Sequence, residues 1–109
     1  MDCIFCKITS HGAPADIIKE SGEWMAFKDI KPSAPVHVLV VPKKHIDSVI
    51  ALQDEDRGII SELVFAAKAI AANKGMLGYR LSFNVGRSGG QLVDHIHLHL
   101  LGGWREDKS

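Results

Sequence analysis

With 109 residues the chain has the length of one domain, spanning 1–109, with a core of limited size. Its 13 basic and 13 acidic residues cancel, and no run of five basic residues occurs, which argues against a nucleic-acid-binding surface. No stretch approaches the roughly 18–20 apolar residues of a membrane helix, and no apolar segment follows a basic one at the N-terminus, so neither a membrane span nor a signal peptide is expected. A cytoplasmic protein is the expectation, its two cysteines reduced or metal-bound and not joined as a disulfide.

Cys3-x-x-Cys6 opens the chain. It reads as two small, partly buried apolar residues or as half of a zinc site lacking two ligands. A thioredoxin-like redox pair is disfavoured, because no strand can precede it. Residues 10–14 read as a turn, followed by a short segment through Ile17 and Ile18 and a second turn at 20–23. Residues 24–27 read as a strand ending at Asp29. Pro32 and Pro35 keep 31–35 irregular, since each removes a donor and fixes φ. Residues 36–41 are apolar and β-branched apart from His37, and read as a central strand closed by Pro42. Taken alone, His37 is a satisfied core residue.

The long helix opens at Asp54-Glu55-Asp56, with Asp54 as N-cap and acids at the positive end of the dipole. Ile59, Leu63, Ala67 and Ile70 recur three or four apart, and Lys74-Gly75 closes the helix. Its broad, Ala-rich face reads as packing surface, with area to spare for a partner subunit. Residues 79–84 form the next strand. Asn84-Val85-Gly86-Arg87-Ser88-Gly89-Gly90-Gln91 is then a Gly-rich turn whose N–H groups can approach an anion. The pattern of strands, one long helix and two more strands predicts an α+β fold with an antiparallel sheet of about five strands.

The most informative stretch is Asp94-His95-Ile96-His97-Leu98-His99-Leu100-Leu101-Gly102-Gly103. Histidine alternates with apolar residues at the period of a strand, which puts His95, His97 and His99 on one face, roughly 6.5–7 Å apart. A solvated strand face needs no function, but Thr, Lys or Glu would serve that purpose equally well. Three imidazoles in a row point either to catalysis on a small substrate or to a metal site.

Gly-Gly-Gln-x-x-x-His-Ile-His-Leu-His-Leu-Leu-Gly-Gly resembles the signature of the histidine triad superfamily. Ile4-Phe5-Cys6-Lys7-Ile8, Phe27-Lys28-Asp29-Ile30, Ala34-Pro35-Val36-His37, Val41-Pro42-Lys43-Lys44-His45 and Gly78-Tyr79-Arg80 extend the likeness along the chain in the order of its Hint branch, the nucleoside phosphoramidases.

The resemblance implies a homodimeric hydrolase with the histidine-triad fold, cleaving purine nucleoside phosphoramidates through a nucleotidyl-histidine. It makes His97 the nucleophile, His99 and the backbone amides around Gly90 and Gln91 the phosphate holders, His37 a tuning group and His95 a structural member. Asp29 would take the ribose hydroxyls, Phe5, Ile8, Phe27 and Ile30 the base, and Asn84 the sugar–phosphate side. Catalysis would need no cofactor, while Cys3, Cys6, His45 and His95 would form a structural Zn²⁺ site. A zinc hydrolase using the triad as ligands and a nucleotide-binding regulator with incidental turnover are the alternatives. Two departures bear on the leaving group. Leu92, itself expected among the nucleotide-binding residues, stands where relatives carry a polar residue, and the tail at 104–109 is short.

Overall fold

The computed structural model describes residues 2–105. Helix α1 (Ile4–Thr9) leads into strands β1 (Ile17–Glu20), β2 (Trp24–Lys28) and β3 (Val36–Pro42), then helix α2 (Arg57–Asn73) and strands β4 (Tyr79–Ser82) and β5 (Leu98–Gly102). The strands form one antiparallel sheet in the order β1-β2-β3-β5-β4. The expected α+β architecture, five strands and one long helix, is the one observed.

The pleat of the three central strands divides the core in two. Trp24, Ala26, Val38, Val40, Leu98 and Leu100 point to α2, where Leu63, Ala66, Ala67 and Ile70 cover them. Met25, Phe27, Leu39 and Val41 point the other way and are covered by Cys3, Phe5 and Ile8 of the N-terminal segment. Burying a Leu, Ile or Phe side chain contributes about 1.5–3 kcal/mol, so α1 is held by packing; six residues are too few for an isolated helix. In β3–β5 pairing His37 lies opposite Leu101 and His99 opposite Leu39. The two histidines are therefore diagonal neighbours on the face that α1 partly covers.

Four expectations are corrected. Helix α1 was not anticipated; the Cys3 side chain caps it by accepting the Cys6 N–H at 3.4 Å. Asp54 is not the N-cap of α2. Residues 54–56 form a 3-10 turn stabilised by a capping box between Gln53 and Asp56, and α2 begins at Arg57. Strand β4 stops at Ser82, two residues before Asn84. Strand β5 begins at Leu98, so His95 and His97 precede it. The ladder ends at Val40 and Leu98; two residues on it would meet Pro42, which has no N–H to offer. The segment instead runs past Ile46, whose carbonyl accepts the Ile96 N–H at 2.7 Å. Of the tail at 104–109, residues 106–109 lie outside the described part.

Candidate active site

Between α1, the open face of the sheet and the loop before β5 lies a cavity of about 350 Å³. Phe5, Ile8, Phe27, Asp29, Ile30, Asn84, Gly90, Leu92, His97 and His99 all line it, so ten of the eleven expected ligand-binding residues meet at one place. Its floor is apolar, from Phe5, Ile8, Phe27 and Leu39. Asp29 lies on its wall, where Oδ1 accepts the Lys31 N–H at 2.8 Å. Ile30, 89% exposed, can add only an edge to a flat ligand.

Gln91 is the exception. Its side chain is buried, its Oε1 accepts the Gly86 N–H, and its Nε2 donates to the carbonyls of Asp47 and Val93. It is a clip for the loop and does not line the cavity. The amides of Gly90 and Gln91 are also committed, to the carbonyls of Arg87 and Gly86. The next two amides, of Leu92 and Val93, have no backbone acceptor among the described residues, and both residues line the cavity. Gly86 and Gly90 hold φ of 69° and 89°, values that a side chain disfavours. Arg87 clamps the loop from outside with two bonds to the Asp94 carboxylate, at 2.8 and 3.1 Å.

The histidines are fixed in tautomer by their neighbours. The Ser33 N–H donates to His37 Nδ1 at 3.1 Å, so His37 carries its proton on Nε2. That Nε2–H lies 2.9 Å from His99 Nδ1 and 3.4 Å from Asp29 Oδ2. His99 Nδ1 accepts, which leaves its own proton on Nε2. This atom is buried and has no partner among the described residues, although the residue lines the cavity. An unpaired buried donor is costly unless a ligand meets it. His97 donates Nδ1–H to the His95 carbonyl at 2.7 Å, leaving the Nε2 lone pair free.

The rings of His97 and His99 are 4.8 Å apart. Burial pushes the imidazolium pKa of His97 down. For His99, burial first and then the neighbouring imidazoles lower it to about 4. Both rings are thus neutral at neutral pH, one presenting a lone pair and the other a donor.

His95 leaves this group. It is wholly buried and turns its Nδ1 towards Cys3 Sγ at 3.3 Å and Cys6 Sγ at 3.6 Å. The expected face shared by three histidines therefore reduces to two, because β5 starts only after His97; the ring edge of Phe5 flanks His97 instead, with centroids 5.2 Å apart. His45 Nδ1 approaches Cys6 Sγ at 3.3 Å. The ligand atoms of Cys3, Cys6, His45 and His95 all lie within 4.8 Å of one another. Tetrahedral bonds of 2.0–2.3 Å place such atoms about 3.6 Å apart, so these donors fit one Cys₂His₂ ion. The far nitrogens are occupied as in ligating imidazoles. His45 Nε2–H donates to Asp47 at 2.7 Å, and His95 Nε2–H to the Pro42 carbonyl at 2.8 Å. Burial and the adjacent Cys3 push the Cys6 thiol pKa up, a bias that a divalent cation would reverse.

Asp29, His37 and His99 also converge. The Ser33 N–H occupies the His37 Nδ1 lone pair, so Nε2 keeps its proton and is a poor ligand. This weighs against the triad as a catalytic zinc site. Sequence reasoning missed Ser33 and Asp47, which act by orienting a histidine. Asp47 alone carried a signal, as an acid two residues after His45.

These features define a small α+β protein with a two-histidine centre opening on a ligand cavity. The sequence model of the family described as scavenger mRNA decapping enzyme C-terminal binding (DcpS_C) matches residues 2–107. An uncharacterized HIT-like protein of Synechococcus elongatus is 46% identical over 94% of this chain and 90% of its own length. A HIT family hydrolase from Legionella pneumophila is 44% identical, with a TM-score of 0.93 over 98% of this chain and 97% of that one. A histidine triad nucleotide-binding protein from Candida albicans superposes with a TM-score of 0.82 at 30% identity, over 99% and 86% of the two chains. A zinc-bound histidine triad family protein from Mycobacterium smegmatis does so with 0.84 at 33% identity, over 99% and 79%. The chain belongs to the histidine triad (HIT) family. Its fold is that of the family's hydrolases and nucleotide-binding proteins.

Proposed function

We propose that this chain is a nucleoside phosphoramidase of the Hint-like branch, hydrolysing the P–N bond of purine nucleotidyl amines through a covalent intermediate on His97. The observation that carries the reading is the pair of fixed tautomers: a His97 Nε2 lone pair beside an unpartnered His99 Nε2–H. In the first step the P–Nε2 bond forms as the P–N bond to the amine breaks, and the amine leaves with a proton taken from solvent. Water then attacks the same phosphorus, the P–Nε2 bond breaks, and the water gives back the proton that the amine removed. His99 donates to the phosphate oxygen throughout, and His37 holds it in the donating tautomer. Asp29 can accept from both ribose hydroxyls, and the apolar floor suits a purine.

Further parts of the reading follow from the same chain. The Cys3, Cys6, His45 and His95 cluster binds a structural Zn²⁺ and takes no part at phosphorus. Exposed Phe65 and Val64 on α2, with the open edge of β4, make the contact of a homodimer. No helix among the described residues is long and apolar enough to cross a membrane, and both cysteines are free thiols, in keeping with a reducing cytoplasm. The test is a panel of adenosine and guanosine phosphoramidates beside the matching phosphate esters. Amine release at a rate well above that from the esters supports the reading; inertness towards the whole panel overturns it. Sedimentation as a monomer at micromolar concentration would remove the dimer.

A further inference from the structure

We propose that the Cys3–Cys6–His45–His95 cluster is a positioning centre for His97: a cation held there sets the nucleophile's tautomer and the wall of the cavity. His95 belongs to both networks at once. Its Nδ1 faces the two thiols, while its main-chain carbonyl accepts His97 Nδ1–H at 2.7 Å, the bond that frees His97 Nε2. Phe5 sits between the two cysteines in sequence, and its ring lies edge-on to both His95 and His97, with centroids 5.8 and 5.2 Å apart. The same ring meets Phe27 of the cavity floor at 5.4 Å.

Two further ties join the segment bearing His45 to the cavity. The Ile46 carbonyl accepts the Ile96 N–H between His95 and His97, and the Asp47 carbonyl accepts from Gln91 in the loop. Without a cation, the four donors meet one another only through thiol–imidazole contacts, which are weak hydrogen bonds. Helix α1, six residues long, depends on packing and not on its own hydrogen bonds for its place. With a cation, α1, the 45–47 segment and the 95–97 segment become one rigid unit. Phe5 is then pressed against His97, and the His95 carbonyl is aimed at Nδ1. His95 and Phe5 are positioning residues here, although Phe5 also lines the cavity.

The nucleotide arm of the test rests on the function proposed above. Full-length wild-type protein is stripped with a chelator, its fold checked by circular dichroism, and Zn²⁺ titrated back. AMP binding is measured calorimetrically in both forms. Imidazole ¹⁵N NMR reads the His97 tautomer without any ligand. Zinc is expected to tighten AMP binding about tenfold, and AMP to tighten zinc binding by the same factor, because coupling between sites is reciprocal. His97 should show one Nδ1–H tautomer when loaded and a mixture when stripped. The His45→Gln protein, changed outside the cavity, should behave as the stripped form whether or not zinc is added. Zinc uptake with unchanged AMP affinity and an unchanged His97 spectrum overturns the proposal while leaving the metal assignment standing. No zinc uptake overturns both. A stripped protein that unfolds outright assigns the cluster to folding alone and also overturns the proposal. Absence of AMP binding in either form defeats the nucleotide reading, and the tautomer spectra then decide the coupling by themselves.

Discussion

Replacing His37 with Phe isolates the relay behind His99. An aromatic ring is kept at a buried strand position, but the Nε2–H that meets His99 Nδ1 at 2.9 Å is removed. His99 is then free to move its proton to Nδ1 and turn a lone pair towards the phosphate. A hydrogen bond to a charged group is worth about 1.5–3 kcal/mol, and each 1.36 kcal/mol is tenfold in rate. The expected fall in kcat/KM on an adenosine phosphoramidate is therefore about 10- to 150-fold. The Ser33 N–H, which loses its acceptor on His37 but belongs to an exposed residue, costs about 0.5–1.5 kcal/mol of stability in addition. A steady-state assay at neutral pH, beside a urea melt, separates the two effects. The His37→Gln protein, which keeps an amide donor, should recover part of the rate. Turnover of His37→Phe within twofold of wild type, with the fold intact, would refute the tautomer argument.

With its pKa lowered to about 4, His99 is neutral in the fold through a range where the unfolded chain, with a His pKa of about 6.5, takes up a proton. Stability should thus be full above about pH 6.5 and fall as pH drops towards 4; a melting temperature that rises on acidification would contradict this. Gln91→Leu strips partners from the Gly86 N–H and the carbonyls of Asp47 and Val93. At about 1 kcal/mol per lost bond, it should destabilise the fold by about 3 kcal/mol in chemical denaturation; a loss below about 0.5 kcal/mol would show that the clip is dispensable. Leu92 is 83% exposed at the cavity rim, so Leu92→Ser should leave the melting temperature within a degree or so. It should also raise turnover of nucleotidyl amines by giving the leaving nitrogen or phosphate a hydroxyl, and unchanged or slower turnover would discard that role.

The sheet was legible because residues 24–27 and 36–41 are short, almost wholly apolar runs, the second β-branched and closed by Pro42, as strands buried on both faces require. Helix α2 was legible from its apolar spacing, although its first turn was not. Asp54 reads as a cap, but Gln53 and Asp56 form a capping box around a 3-10 turn over 54–56, and the α-helix begins only after it. Helix α1 was hidden because six residues pinned by tertiary contacts carry no periodicity worth reading.

In the site, the residue types were visible and their partition was not. Alternation put three histidines on one face, but the ladder stops at Leu98, before a Pro42 that cannot donate, and the chain turns His95 to the cysteines. The resemblance assigned the amides around Gly90 and Gln91 to the phosphate, whereas both donate to loop carbonyls and the Gln91 side chain is consumed by the loop. Ser33 acts through its backbone N–H, which no residue type reveals.

The covalent step at His97 is tested most directly by catching it. Wild-type protein mixed with an adenosine phosphoramidate, quenched within the first turnovers and kept alkaline to preserve the P–N bond, should carry one AMP on the peptide containing His97. The His97→Asn protein should carry none, and its turnover should fall by on the order of 10⁴ or more, as on loss of other covalent nucleophiles. Absence of the adduct under these conditions, with His97→Asn turning over at a near-normal rate, would contradict the account.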